Sequence, residues 1–209
     1  MKSKIIEQGA EAKIFLDTSR KILTKNRLKK SYRINELDEK IRKRRTRSEI
    51  KLLKKASKLI PIPKVFETKT KNNISMEFID GKKLSQYLDN FKPKEQKQIC
   101  NQIGTSVAKL HQENIIHGDL TTSNMIYISD KKEFLIYFID FGLGYFNGKY
   151  EDKAVDIHLF KQALEAKHFK NWKILFKEFK NSYAKIQPTE SEKVFERLKT
   201  VEKRGRYKH

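Results

Sequence analysis

Cysteine is nearly absent. The chain has a single Cys, which excludes an intrachain disulfide and a cysteine-based zinc site. That residue, Cys100, falls on the apolar side of a helical pattern and reads as core packing. Long hydrophobic runs are missing too. The opening MKSKIIEQGAEAKIF has no apolar signal-type core, and no stretch reaches membrane-spanning length, so a soluble cytoplasmic protein that makes no membrane contact is expected. Internal repeats and low-complexity linkers are also missing. Acidic residues are scarce: 26 Asp and Glu stand against 47 Lys and Arg, a net charge of +21. Glycine is scarce where a phosphate loop would use it, since EQGAEAK offers Gly9 and then only Ala10 and Ala12 as small residues.

What is present suffices for a core. Hydrophobic residues make up 37% of the chain, with 13 Phe and 8 Tyr, which argues against wholesale disorder. A length of 209 residues allows one large domain or two small lobes. The positive charge is clustered. Residues 20–58 carry 17 Lys and Arg against four acids (Glu36, Asp38, Glu39, Glu49), a local balance of +13. Residues 199–209 add five basic residues against Glu202. Such fields attract polyanions, nucleic acid first among them.

Periodicity gives an α+β order. Ile5–Ile6, Ile14–Leu16 and Ile22–Leu23 read as strands, and Ile34, Leu37, Ile41, Leu52, Leu53, Ala56 and Leu59 mark one long helix ended by Pro61-Ile62-Pro63. Val65–Phe66 and Ile74–Ile79 return to strand, Asp80-Gly81 turns, Leu84–Leu88 is a short helix, and Pro93 opens the next. FLIYFIDFG is a buried strand ending at Asp140. From Asp152 the chain is helical, its last helix running from about Ser191 to Glu202. The expected architecture is α+β with two lobes: a strand-rich lobe with one long helix over 1–78, a reduced helical lobe over 79–200, and a basic tail over 201–209.

Phosphoryl transfer requires positioning and charge neutralisation more than covalent chemistry. In IIHGDLTTSNMIY, Asp119 can orient or deprotonate an acceptor, and Asn124, five residues on, can offer a carbonyl oxygen to Mg²⁺. Asp140, in Asp-Phe-Gly after the buried strand, is a second hard-oxygen ligand. Each motif alone is weak; both in order, 21 residues apart, are specific. Lys25 ends a strand, with Lys21 as the alternative. Glu49 is the one acid among ten basic residues of 40–58, and its place on the apolar stripe turns it inward toward a cation. Gly9, Ala10, Glu11 and Ala12 form the candidate phosphate loop. Glu77 and Ile79 lie on the segment joining the halves, whose backbone suits an adenine edge. His117 and Asp156 read as structural supports of the catalytic loop.

QGAEAKIF, MEFIDG, IIHGDLTTSNMI, IDFGLG, EDKAVDIHLF and VEKRGRYKH together resemble the eukaryotic-like protein kinase superfamily. The similarity is closest to its smallest branch, the PRPK-like kinase/ATPase subunit family of the KEOPS (EKC) complex, and covers essentially the whole chain. The resemblance implies ATP and Mg²⁺ as cofactors, Asp119 as acid/base, Asn124 and Asp140 on the metal, and Lys25 on the phosphates opposite Glu49. It implies serine/threonine phosphorylation, of the chain itself included, and ATP hydrolysis. It also implies work beside a tRNA threonylcarbamoyltransferase and the other KEOPS subunits, with Arg204, Arg206 and Lys208 of a flexible tail touching tRNA or a partner. Gly118 stands where activation-loop-controlled kinases have Arg, and Thr121 where Ser/Thr kinases have Lys. No Ala-Pro-Glu motif follows, and only 15 residues separate Asp140 from Val155, which leaves no room for a peptide platform. The alternatives are a free-standing serine/threonine kinase and a nucleotide-binding scaffold without turnover.

Overall fold

In the computed structural model, which describes residues 3–9, 11–68, 70–130 and 133–206, five short runs of alternating residues pair into one antiparallel sheet. These are β1 (Ser3–Gln8), β2 (Ala12–Asp17), β3 (Ile22–Arg27), β4 (Val65–Phe66) and β5 (Asn73–Glu77), in the order β1-β2-β3-β5-β4. The two-residue period of a strand puts Leu23, Lys25 and Arg27 on one face of β3. Register sets Lys25 opposite Ile74 and Leu23 opposite Met76.

The long helix α1 spans Asn35–Ala56. It is shorter than the stripe from Ile34 to Leu59 suggested, and the stripe is continuous only in its second half. Leu52, Leu53 and Ala56 are fully buried, whereas Ile34 and Leu37 are 74% and 51% exposed. The first turns run past the sheet. Their inward position is taken by Asp38, held by Arg42 Nε at 2.7 Å, Arg33 at 3.7 Å and the Lys30 N–H at 3.3 Å.

After the turn at residues 80–81 come β6 (Lys82–Lys83), α2 (Leu84–Tyr87) and α3 (Pro93–Gln112). The Glu95 carboxylate caps α3 by accepting the Lys92 N–H at 3.2 Å. β7 (Met125–Asp130) and β8 (Glu133–Phe138) complete a three-stranded sheet in the order β6-β7-β8. Helices α4 (Tyr150–Lys167), α5 (Trp172–Ile186) and α6 (Pro188–Arg206) close the second lobe. α3 meets α5 at Gly104, where a Cβ would lie 2.3 Å from the Phe179 carbonyl oxygen, so only glycine admits this approach. Phe160, Phe179 and Tyr183 are fully buried beside it. Cys100 is buried in the same core, and burial, helped by Glu178, pushes its thiol pKa well up.

The expected tail is a correction. Residues 201–206 continue α6 as helix. Val201 packs against the core, and Glu202 pairs with Lys161 of α4 at 2.7 Å, which holds these turns in place. Links between the lobes include the Phe138 N–H donating to the Pro61 carbonyl at 3.1 Å, and Lys55 meeting Glu113 at 2.9 Å. Among the described residues, no helix is long and apolar enough to cross a membrane.

Candidate active site

The two lobes enclose a cleft of about 280 Å³. Ile14 and Leu23 line it from the sheet, Ile126 and Ile139 from the second lobe, and Met76–Ile79 from the connecting segment. The Glu77 N–H is taken by the Lys64 carbonyl and the Phe78 N–H by that of Lys21, both at 2.8 Å. The Ile79 N–H makes no hydrogen bond among the described residues and borders the cleft, so it remains a donor for a flat heterocycle. Lys21 itself lies in the turn before β3 at φ 49°, away from the charged end of the cleft.

That end is built around Lys25. Its ammonium bonds Glu49 Oε1 at 2.9 Å and Asp140 Oδ1 at 2.6 Å. Burial opposes the Lys25 charge, but the two carboxylates outweigh it and raise its pKa. Burial likewise works against ionised Asp140; Lys25 and the Gly142 N–H overcome it and hold the carboxyl below its ordinary range. Glu49 has a second cation: Arg27 Nη2 bonds its Oε2 at 2.5 Å. Arg27 was not singled out from sequence, although its spacing of two from Lys25 places both on one strand face. Arg27 also reaches Glu11 at 3.5 Å, and Arg45 Nη1 on α1 meets both Glu11 oxygens at 2.8 Å. Its hydrogen bond to Arg45, opposed by partial burial, lowers the Glu11 pKa. The Glu11 side chain thus fastens the loop to α1 through ion pairs. Gly9 N–H bonds the Ala12 carbonyl at 3.0 Å, Ala12 is buried, and Ala10 lies outside the described residues.

The loop before β7 is held from behind by Asp156 on α4. Its carboxylate accepts the His117 N–H at 2.7 Å and the Gly118 N–H at 2.9 Å. His117 is buried, which lowers its pKa below the usual histidine value and keeps the ring neutral. Its Nδ1 accepts the Asp119 N–H at 3.3 Å, so Nε2 carries the proton and donates to the Ile139 carbonyl at 3.1 Å. Asn124 Nδ2 donates to the Asp119 carbonyl at 2.9 Å and to Asp119 Oδ2 at 2.8 Å. With its nitrogen so used, the Asn124 amide keeps Oδ1 as an acceptor at the cleft. Lys25 and the Gly142 N–H both use Asp140 Oδ1, which leaves Oδ2. Two neutral-to-anionic oxygens fit a hard divalent cation that takes its other ligands from phosphate and water. Among the described residues, no group of three His, Cys, Asp or Glu side chains could hold a metal unaided.

Gly118 is the position that tertiary structure explains. Its φ is 80°, and a Cβ there would lie 2.3 Å from the Leu143 carbonyl oxygen. The segment after Asp140-Phe141-Gly142 folds back across the loop, with Ile116 and Tyr145 exchanging N–H···O bonds of 2.9 and 3.1 Å. Phe141 is buried against the His117 ring, with centroids 4.5 Å apart. Asp140 itself sits at φ 59°, a strained setting for a non-glycine residue. Gly118→Ala is expected to cost about 1–3 kcal/mol in denaturant unfolding from backbone strain alone, and to reduce ATP turnover because the loop must move to make room.

Arg204 does not hang free: it lies in α6 and pairs with Glu151 of α4. The Arg206 side chain and Lys208 lie outside the described residues.

The protein kinase domain family matches residues 2–158. The chain is similar to the KEOPS complex subunit Bud32 of Pyrococcus abyssi, at 41% identity over 98% of this chain and 96% of that protein. It is 37% identical to a probable serine/threonine-protein kinase BUD32 homolog of Archaeoglobus fulgidus, covering 95% of this chain and 94% of the other. A probable bifunctional tRNA threonylcarbamoyladenosine biosynthesis protein of Methanosarcina mazei is 35% identical over 98% of this chain, which spans only 36% of that longer protein.

Proposed function

Because this chain belongs to the protein kinase domain family, among the relatives of the KEOPS subunit Bud32, we propose that it is a small atypical kinase and ATPase supporting tRNA threonylcarbamoyladenosine modification. It works within a KEOPS-type complex in the cytoplasm. The protein kinase domain implies ATP and a divalent metal generally; magnesium is the specific reading, from the oxygen-only donor pair Asn124 and Asp140. Such an ion neutralises charge on the phosphate oxygens. The chain's own groups do the rest. Ile79 N–H orients the base, Lys25 leaves Asp140 for the α- and β-phosphates while keeping Glu49, and Asp119 orients the attacking hydroxyl or water.

The observation that carries the biological part is similarity along nearly the full length of two separate relatives. The partner follows from the bifunctional relatives, where the matched region is about a third of one polypeptide whose name covers the whole tRNA modification. The remainder of such a protein is the natural counterpart of a separate transferase subunit here. The short connection from Asp140 to the start of α4 at Tyr150 leaves no room for a peptide platform, which favours water or a nearby serine or threonine as acceptor over an outside protein. Arg204, Arg206 and Lys208 add positive charge in the last residues of the sequence for tRNA or a partner.

Phosphate release is expected to rise when the transferase and tRNA are added together. If the chain instead labels an unrelated protein faster than it labels itself, the free-standing kinase reading replaces this one.

A further inference from the structure

Another concave surface is lined by α5 and α6 beside Lys161 of α4. It encloses about 780 Å³, and its aromatic lining is Trp172, Phe176 and Phe195. Lys173, Lys177 and Lys180 border it from α5, and Lys199 borders it from α6. Spacings of four and three set the α5 lysines on one helix face, opposite the buried Leu175, Phe179 and Tyr183. None of these four lysines makes an ion pair among the described residues. The one carboxylate among the groove's lining residues, Glu202, pairs with Lys161 at 2.7 Å.

Two of these lysines, and Lys161 of α4, lie over the rings. Lys161 and Lys173 lie 5.5 and 5.8 Å from the Trp172 centroid, and Lys180 lies 5.4 Å from that of Phe176. Lys173 and Lys180, over aromatic faces and without an ion pair, form with Lys177 and Lys199 a surface with two compatible functions. The cations suit phosphodiester oxygens, and the ring faces, once the ammonium turns to a phosphate, suit bases. A protein partner of ordinary composition would bury these lysines uncompensated, at a cost.

We propose that this α5–α6 groove binds an unpaired stretch of RNA, with phosphates on the lysine row and a base against Trp172. This extends the tRNA reading above by naming a surface that shares no lining residue with the ATP cleft and lies beside the last turns of α6.

Trp172 is the only tryptophan in the chain, so its fluorescence reports on this groove alone. The full chain is titrated with single-stranded oligouridylate, with an RNA duplex of equal length and with polyglutamate. Saturable quenching by oligouridylate is expected, stronger than with either competitor, and weakening as salt rises. Lys173→Glu/Lys177→Glu/Lys180→Glu should weaken binding by roughly tenfold or more and flatten the salt dependence by about 0.7 in log–log slope per lost phosphate contact. Basal ATP turnover and melting temperature should stay unchanged, and the triple Arg replacement should keep binding. RNA binding that leaves Trp172 emission and the triple-Glu variant unaffected overturns the proposal. Equal quenching by polyglutamate reassigns the groove to an acidic peptide. The titration needs no ATP, so a chain that fails to hydrolyse ATP can still pass it, and one that supports tRNA modification can still fail it.

Discussion

Asp140→Ala is expected to lower ATP turnover by about 10²–10³-fold, the scale for removing one preorganised charge-stabilising group. The variant removes the ionised member of the two-oxygen donor pair and one of the two carboxylates on Lys25. It should stay folded. The Asp140 side chain is 46% exposed, and Lys25 retains Glu49, so no buried charge is stranded. Phosphate release and thermal melting, measured together, separate loss of chemistry from loss of structure. In a reconstituted complex, the same change should abolish tRNA threonylcarbamoylation if turnover drives it. Modification at the normal rate would establish the scaffold reading instead.

Glu49→Ala should have the largest effect on stability, about 3–5 kcal/mol, because it removes one partner from a buried ionic cluster. Glu49 is 1% exposed, and both cations that it serves, Lys25 and Arg27, are under 10% exposed. Lys25 would keep only the half-exposed Asp140, and Arg27 only the distant Glu11. The linkage has a definite sign. The Lys25 pKa is raised in the folded chain, so its contribution is present below the unfolded lysine value and is lost as pH climbs through the folded one. A stability deficit seen across neutral pH and narrowing only in strong alkali is the expected profile in denaturant titrations. A deficit under about 1 kcal/mol, the scale of an exposed ion pair, would show that water already reaches the cluster.

Arg27 and Gly118 mark the boundary of what sequence reading reaches. Lys25 and Glu49 were legible because strand period two and helix period near 3.6 turn each inward independently of the other. That Glu49 takes two cations depends on how close α1 lies to β3, which neither local pattern encodes. Gly118 looked like a missing arginine. Its carbonyl neighbour at 2.3 Å comes from residue 143, brought there only by the return of the chain after Asp140. The apolar pattern from Ile34 was over-read for a related reason: periodicity says that a helix has a face, not whether anything is packed against it.

The sequence by itself determined the candidate residues and their order: Asp119 with Asn124, then Asp140, behind a strand lysine and a helical glutamate, in a chain of +21 charge. These follow from residue identity and short-range spacing. Tertiary structure alone decided that Glu11 ties the β1–β2 loop to Arg45, and that residues 201–206 are helix. It also decided that lysines from two helices meet around one tryptophan. Each of these joins segments tens of residues apart, and the approach of such segments is set by how the whole core packs.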